Sequence, residues 1–234
     1  RLMSLGYNFW TCPCSPSLSW AMKKMFKLRH LAHSILSQQN TTIRLRDIWD
    51  QIRSKAPKVS WHRLLWFTNH IPKHSIISWM VILGKLPTMD RLTKWGAHVT
   101  NALCPFCNQC DESHHHLFFD YTFSKELWLI IMALCDLKNA PSDWPSVLAW
   151  SSHHFKGKSL ISLICRLSFN AAIYHLWCER NRRIFARQNL PLPQILMKVV
   201  RDIQQRLLSL TNISTDTVNV ELCHNFGLGN ILFK

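Results

Sequence analysis

The longest periodic apolar stretch of the chain sets the terms for its fold. Between Ser159 and Arg187, the residues Leu160, Leu163, Ile164, Leu167, Ala171, Tyr174 and Trp177 recur at steps of three and four. That spacing places side chains on one face of an α-helix. The same period returns over Gln194–Leu210, where Leu196, Val199, Val200, Ile203, Leu207 and Leu210 form a stripe behind Pro191 and Pro193. The expectation is a mainly α protein. Six glycines in 234 residues are few for a turn-rich β-sandwich. A hydrophobic fraction of 47%, with eleven Trp and twelve Phe, supplies a sizeable core and argues against a disordered chain.

Further helices are expected upstream. Residues 20–37 read as a basic amphipathic helix, with Met22, Met25, Phe26 and Leu28 among Lys23, Lys24, Lys27 and Arg29. A helix over Leu45–Ser54 would carry Ile48, Trp49 and Ile52 on one face and end before Pro57. Pro72 opens a helix over Ser75–Leu83 that Gly84 closes, and Met89–Trp95 closes at Gly96. The two make an αα-hairpin that delivers the chain to residues 104–116. Ser124 is expected to cap a helix from Lys125 to about Leu137, with Glu126 in its first turn, where a negative charge suits the helix dipole. Residues 139–158, with Pro141, Pro145 and Gly157, read as a loop and an internal boundary; the tail after Asn212 is weakly patterned. This divides the chain into an N-terminal helical extension (1–57), a middle domain (58–138) and a C-terminal helical region (139–234).

Within the middle domain stands Cys104-Pro-Phe-Cys107, followed by His114, His115 and His116. Two thiols separated by two residues can both reach one metal ion. Zinc takes four ligands in a tetrahedron, with sulfur at about 2.3 Å and imidazole nitrogen at about 2.0–2.1 Å. His116 is the candidate third ligand. The nine cysteines are odd in number, several lie in apolar helical patterns, and no signal peptide opens the chain. This reads as an intracellular, reducing location with thiols free or metal-bound. The apolar stretches around 76–83 and 127–135 are shorter than a bilayer span requires, so no membrane partner is expected.

An ordered series of motifs runs through the same region. Trp61-His-Arg-Leu-Leu-Trp-Phe67 and Ile71-Pro-Lys-His-Ser75 lead to Trp79. Then follow Leu86-Pro-Thr-Met-Asp-Arg-Leu92, Lys94-Trp-Gly96, the Cys pair, His116-Leu-Phe-Phe-Asp120 and Leu127-Trp128. Tyr174-His-Leu-Trp-Cys-Glu-Arg-Asn-Arg-Arg-Ile-Phe185 lies further on. Together these resemble the zinc-binding region that follows the reverse transcriptase domain in plant non-LTR (LINE-type) retrotransposons. The resemblance is dense over 58–135 and 172–186, and residues 20–33 look like that family's upstream helix. It implies an irregular helical domain with a small zinc-binding loop inserted between helices, followed by a long C-terminal helical pair. The family's ligands are Cys-x-x-Cys, then His, then a Cys five residues on. Carried over, they are Cys104, Cys107, His116 and position 121, which here is Tyr121. A phenol with a pKa of about 10 is a poor zinc ligand. Cys110 is the tentative fourth ligand, with His114 and His115 as substitutes. The resemblance also implies Zn2+ as cofactor, a reverse transcriptase domain in cis or trans as partner, and a nuclear site.

Charge points to a polyanion. Lys and Arg number 28 against 13 Asp and Glu, a net +15 with a pI of 9.8; this favours nucleic acid first and an anionic membrane surface second. Arg180, Arg182 and Arg183 cannot all share one helix face. They either grip phosphates or pair with Glu179 and the helix dipole. Lys73, Lys85, Arg91 and Lys94 surround the hairpin beside the metal loop. With the three arginines they form the expected surface for RNA or single-stranded DNA. No Tyr-x-Asp-Asp, Gly-rich phosphate loop or Gly-x-Ser-x-Gly occurs, and thirteen carboxylates are thinly spread. The expectation is a non-catalytic accessory fragment, binding zinc and nucleic acid, from the C-terminal part of a retrotransposon reverse transcriptase polyprotein. The alternatives are a protein-interaction module, and a remnant that no longer binds zinc.

Overall fold

A computed structural model describes residues 10–36, 46, 49–50, 53–54, 56–210 and 213–229. The chain divides into two compact units, Arg1–Lys58 and Val59–Lys234. In the first, helix α1 spans Trp20–Leu36, as its amphipathic pattern predicts. Phe26 and Cys12 are buried there. The Arg29 guanidinium bonds the Cys12 carbonyl and stands 5.5 Å from the Phe26 ring. The helix expected over Leu45–Ser54 falls largely outside the described residues.

The second unit is mainly α. Its elements are α2 (His62–Leu65), α3 (Pro72–Ile82), α4 (Met89–Lys94), a π turn (His116–Asp120), α5 (Thr122–Leu134), α6 (Trp144–His154), α7 (Leu160–Asn181), a second π turn (Arg182–Ala186), α8 (Leu192–Leu207) and α9 (Thr217–Asn225). Among the described residues there is no strand, only an isolated antiparallel bridge between Leu103 and Asp111.

Helix α7 is the axis. It packs chiefly against α3 and α8, and also meets α2, α5, α6 and α9. Ser159 caps it by accepting the Ser162 amide at 3.4 Å. Ile164, Leu167, Ala171, Ile173 and Leu176 are buried, and so are Ser168, Asn170, Glu179 and Arg180, so burial runs around the whole helix. Buried polar groups need partners: the Asn170 amide donates to the Leu64 carbonyl at 2.9 Å and to the Arg166 carbonyl at 2.7 Å. By length and composition residues 160–186 could cross a membrane, but 72% of an apolar 18-residue window within them is buried inside the protein, as befits a core helix. Helix α8 lays Ile195, Val199, Ile203 and Leu207 against this core at four-residue steps and leaves Met197 and Lys198 outside.

Two elements differ from the sequence expectation. Residues 144–154, read as loop because of their prolines, form α6. Asp143 caps it by accepting the Ser146 amide at 3.1 Å, and Pro145 sits in the first turn, where a helix needs no N–H. The tail forms α9, capped by Asp216 accepting the Asn219 amide at 2.9 Å. Only Leu222 and Cys223 of that helix are buried, too few to show a period. Ser124, expected as a cap, lies within α5, its hydroxyl donating to the Leu117 carbonyl at 2.6 Å. Residues 139–158 fall inside the second unit, where Val147 and Phe155 join the core shared with α5 and α7.

Candidate metal centre

Gly96, at φ +80°, turns the chain out of α4 into the loop that carries the cysteines. The loop is closed by the Cys104 amide donating to the Cys110 carbonyl at 2.7 Å and the Glu112 amide to the Ala102 carbonyl at 2.8 Å. Inside it, Asn108 takes a left-handed conformation at φ +54°, and its amide donates to the Cys104 carbonyl at 2.8 Å. This tight turn brings both sulfurs to one side. The Phe106 amide points at the Cys104 sulfur, 3.4 Å away. Backbone N–H groups aimed at sulfur favour its thiolate form.

His116 enters from the first π turn. Leu117, Phe118 and Phe119 are buried and anchor that turn, while the Ser113 hydroxyl accepts the His116 amide at 3.2 Å. The imidazole Nε2 stands 3.3 Å from the Cys107 sulfur. The donor atoms of Cys104, Cys107 and His116 all lie within 4.8 Å of one another. Ligands around tetrahedral zinc sit roughly 3.5 Å apart at the bond lengths above, so the three donors present fit such an ion.

The two thiols differ. Burial pushes Cys104 up to about 11, against hydrogen bonds from the Phe106 and Cys107 amides. Burial also raises Cys107, but the amides of Cys110 and Gln109 and the His116 imidazole outweigh it and bring the thiol down to about 7. A bound cation would stabilise both thiolates.

The fourth position expected from sequence is not filled by the residues named for it. Cys110 is exposed and stands outside the group of donors, because its backbone carbonyl, not its thiol, closes the loop. His114 turns away to Thr88, its Nδ1 3.3 Å from the hydroxyl, and burial lowers its pKa. His115 is exposed. The Tyr121 hydroxyl donates to the Phe106 carbonyl at 3.1 Å, and its ring stacks on Phe106 at 5.9 Å. Among the described residues, Cys104, Cys107 and His116 are the side chains that bring donors together at this site.

The arginine cluster braces this loop. Arg180, 3% exposed, bonds Glu112 through Nε and Nη2, both at 2.7 Å. Glu112 also accepts the Met89 amide at 2.9 Å, which ties α4 to α7 through the metal loop. Arg183 bonds Glu179 at 2.9 Å, reaches the Pro105 and Phe106 carbonyls at 3.4 Å and lies 4.6 Å from the Phe106 ring. Arg180 faces inward, where the sequence expectation put it on a surface, because a fully buried carboxylate needs its cation there. Arg182 contacts Glu179 at 3.4 Å and stays partly exposed. Lys73, Lys85 and Lys94 are exposed; Arg91 lies against Trp95 at 5.0 Å. The sequence reading passed over Glu112 although it adjoins Asp111; its partner lies 68 residues away, beyond the reach of any local pattern.

Residues 44–128 match the family model for zinc-binding in reverse transcriptase, a span that includes Cys104, Cys107, His116 and Tyr121 but not the arginine brace. Comparison with curated proteins and with solved structures finds no match.

Proposed function

We propose that this chain is a non-catalytic accessory fragment of a plant-type non-LTR retrotransposon polyprotein, which holds one zinc ion and binds single-stranded nucleic acid beside a reverse transcriptase domain. The observation that carries the reading is the convergence of Cys104, Cys107 and His116 inside the region that matches zinc-binding in reverse transcriptase. Zinc bound there would lock the loop against the buried π turn; zinc binding to such a site is folding energy. The exposed cations supply the rest. In addition to the exposed Lys73, Lys85 and Lys94 and the partly exposed Arg91, a groove on the second unit is lined by Arg182, Gln188, Gln194, Lys198 and Arg201, with no carboxylate among its lining residues. Such a groove suits a phosphate backbone.

Two measurements test the reading. Cys104→Ser should bind one equivalent of zinc fewer per chain than wild type. Affinity for RNA or single-stranded DNA should fall with salt by about 0.7 of a log unit per neutralised phosphate per log unit of salt. Replacing Lys198 and Arg201 by Gln should weaken binding and flatten that slope. Zinc content unchanged by Cys104→Ser, or binding indifferent to salt, would defeat it.

A second reading has its own observation. Ile76, Trp79 and Leu83 on and just after α3 are 46%, 41% and 44% exposed, an apolar stripe that suits docking onto a protein. Capture of a polymerase domain that survives nuclease treatment, and is lost in Trp79→Ser, would favour it.

A further inference from the structure

The geometry points to a second metal centre, remote in sequence from the first, in which His74, His175 and Asp202 hold a divalent first-row transition ion between α3, α7 and α8. The ligand atoms of these three residues lie within 4.8 Å of one another. His175 Nε2 is 2.7 Å from Asp202 Oδ2, and His74 Nε2 is 3.2 Å from the same oxygen. Each residue comes from a different helix, and the three helices form the main packing contacts of the second unit.

His74 is the informative member. Its side chain is fully buried, yet neither ring nitrogen makes a hydrogen bond of acceptable geometry. Buried imidazoles are normally satisfied, and an orphaned one costs stability. The approach to Asp202 is close but off the line a hydrogen bond needs. A cation accepting a lone pair from Nε2 gives that nitrogen a partner, and His175 and the carboxylate supply two further donors. Two imidazoles and one carboxylate suit zinc, iron(II), nickel or copper, and leave positions open. The Asp202 and His175 side chains are 21% and 12% exposed, so water can reach the open side. Tyr174 covers His74 from one face, centroids 4.3 Å apart, with Lys73 5.0 Å from the same ring. The phenol thus stands beside both the cationic lysine and the imidazole. His175 Nε2 faces the Asp202 carboxylate at 2.7 Å; to ligate through that nitrogen the ring would carry its proton on Nδ1. His175 and Asp202 lie outside residues 44–128, so the centre is not part of the matched zinc-binding region.

The test is metal titration of the chelator-stripped full chain with Zn2+ and Co2+, read by elemental analysis and absorption. The expected stoichiometry is one equivalent at this centre beyond whatever the cysteine centre binds. His175→Gln, which keeps a donor to Asp202 but ligates poorly, should remove that equivalent, as should Asp202→Asn. In Cys104→Ser, Co2+ should still bind, without a thiolate-to-cobalt charge-transfer band. If the cysteine centre binds nothing, wild type should take up one equivalent that His175→Gln abolishes, so the two proposals fail separately. The inference is overturned if His175→Gln and Asp202→Asn, folded by circular dichroism, bind as much metal as wild type, or if Cys104→Ser abolishes all binding.

Discussion

Glu112 and Arg180 form the interaction on which the loop depends at the level of single side chains. Both are buried and joined by two bonds of 2.7 Å. Removing one partner strands a charge in the core, a loss of about 3–5 kcal/mol. Arg180→Met and Glu112→Gln should each lower the urea midpoint strongly, whereas the pair Glu112→Leu/Arg180→Met should cost less than the sum of the singles. The thiols make a second prediction. In metal-stripped protein near neutral pH, iodoacetamide should modify Cys107, whose pKa lies near 7, well before Cys104, held near 11. Thiolates react and thiols do not; equal rates of labelling, followed by peptide mass mapping, would contradict this asymmetry.

At the scale of elements, the helices that were legible are those with several turns of one-sided burial. Helix α8 shows Ile195, Val199, Ile203 and Leu207 inside and charged residues outside, and its period was plain. Helix α6 was not legible, because Pro145 reads as a breaker unless it is known to occupy the first turn. Asp143 supplies the cap that makes that start possible. Asp143→Ala should therefore destabilise the second unit by about 1 kcal/mol, seen as a small fall in thermal midpoint. Ile203→Ala, from a fully buried site, should cost about 2–5 kcal/mol. A smaller loss for Ile203→Ala than for Asp143→Ala would mean that α8 is not packed on α7 as described.

Across the whole molecule, buried histidines link stability to pH. Burial holds His74 and His114 below their ordinary value of 6.5. In the unfolded chain these groups take up protons that the folded protein resists. The unfolded state then binds more protons, so stability is fully present above about pH 6.5 and is lost as pH falls through the depressed folded values. Thermal melts should show a midpoint that declines on acidification below that point, and His114→Phe should blunt the decline. A midpoint flat from neutrality into mild acid would remove this account.

Local pattern alone settled the helical class, the spacing of Cys104 and Cys107, and the place of His116 one turn of loop away, because each depends on neighbours a few residues apart. It also put Arg182 and Arg183 within reach of Glu179, at three and four residues along one helix. It took the folded chain to turn Arg180 inward to Glu112, to engage the Tyr121 hydroxyl with Phe106, and to bring His74, His175 and Asp202 together. The last depends on how α3, α7 and α8 pack and the first two on how the metal loop folds and lies against α7; periodicity fixes which face a residue occupies without fixing which partner that face will find.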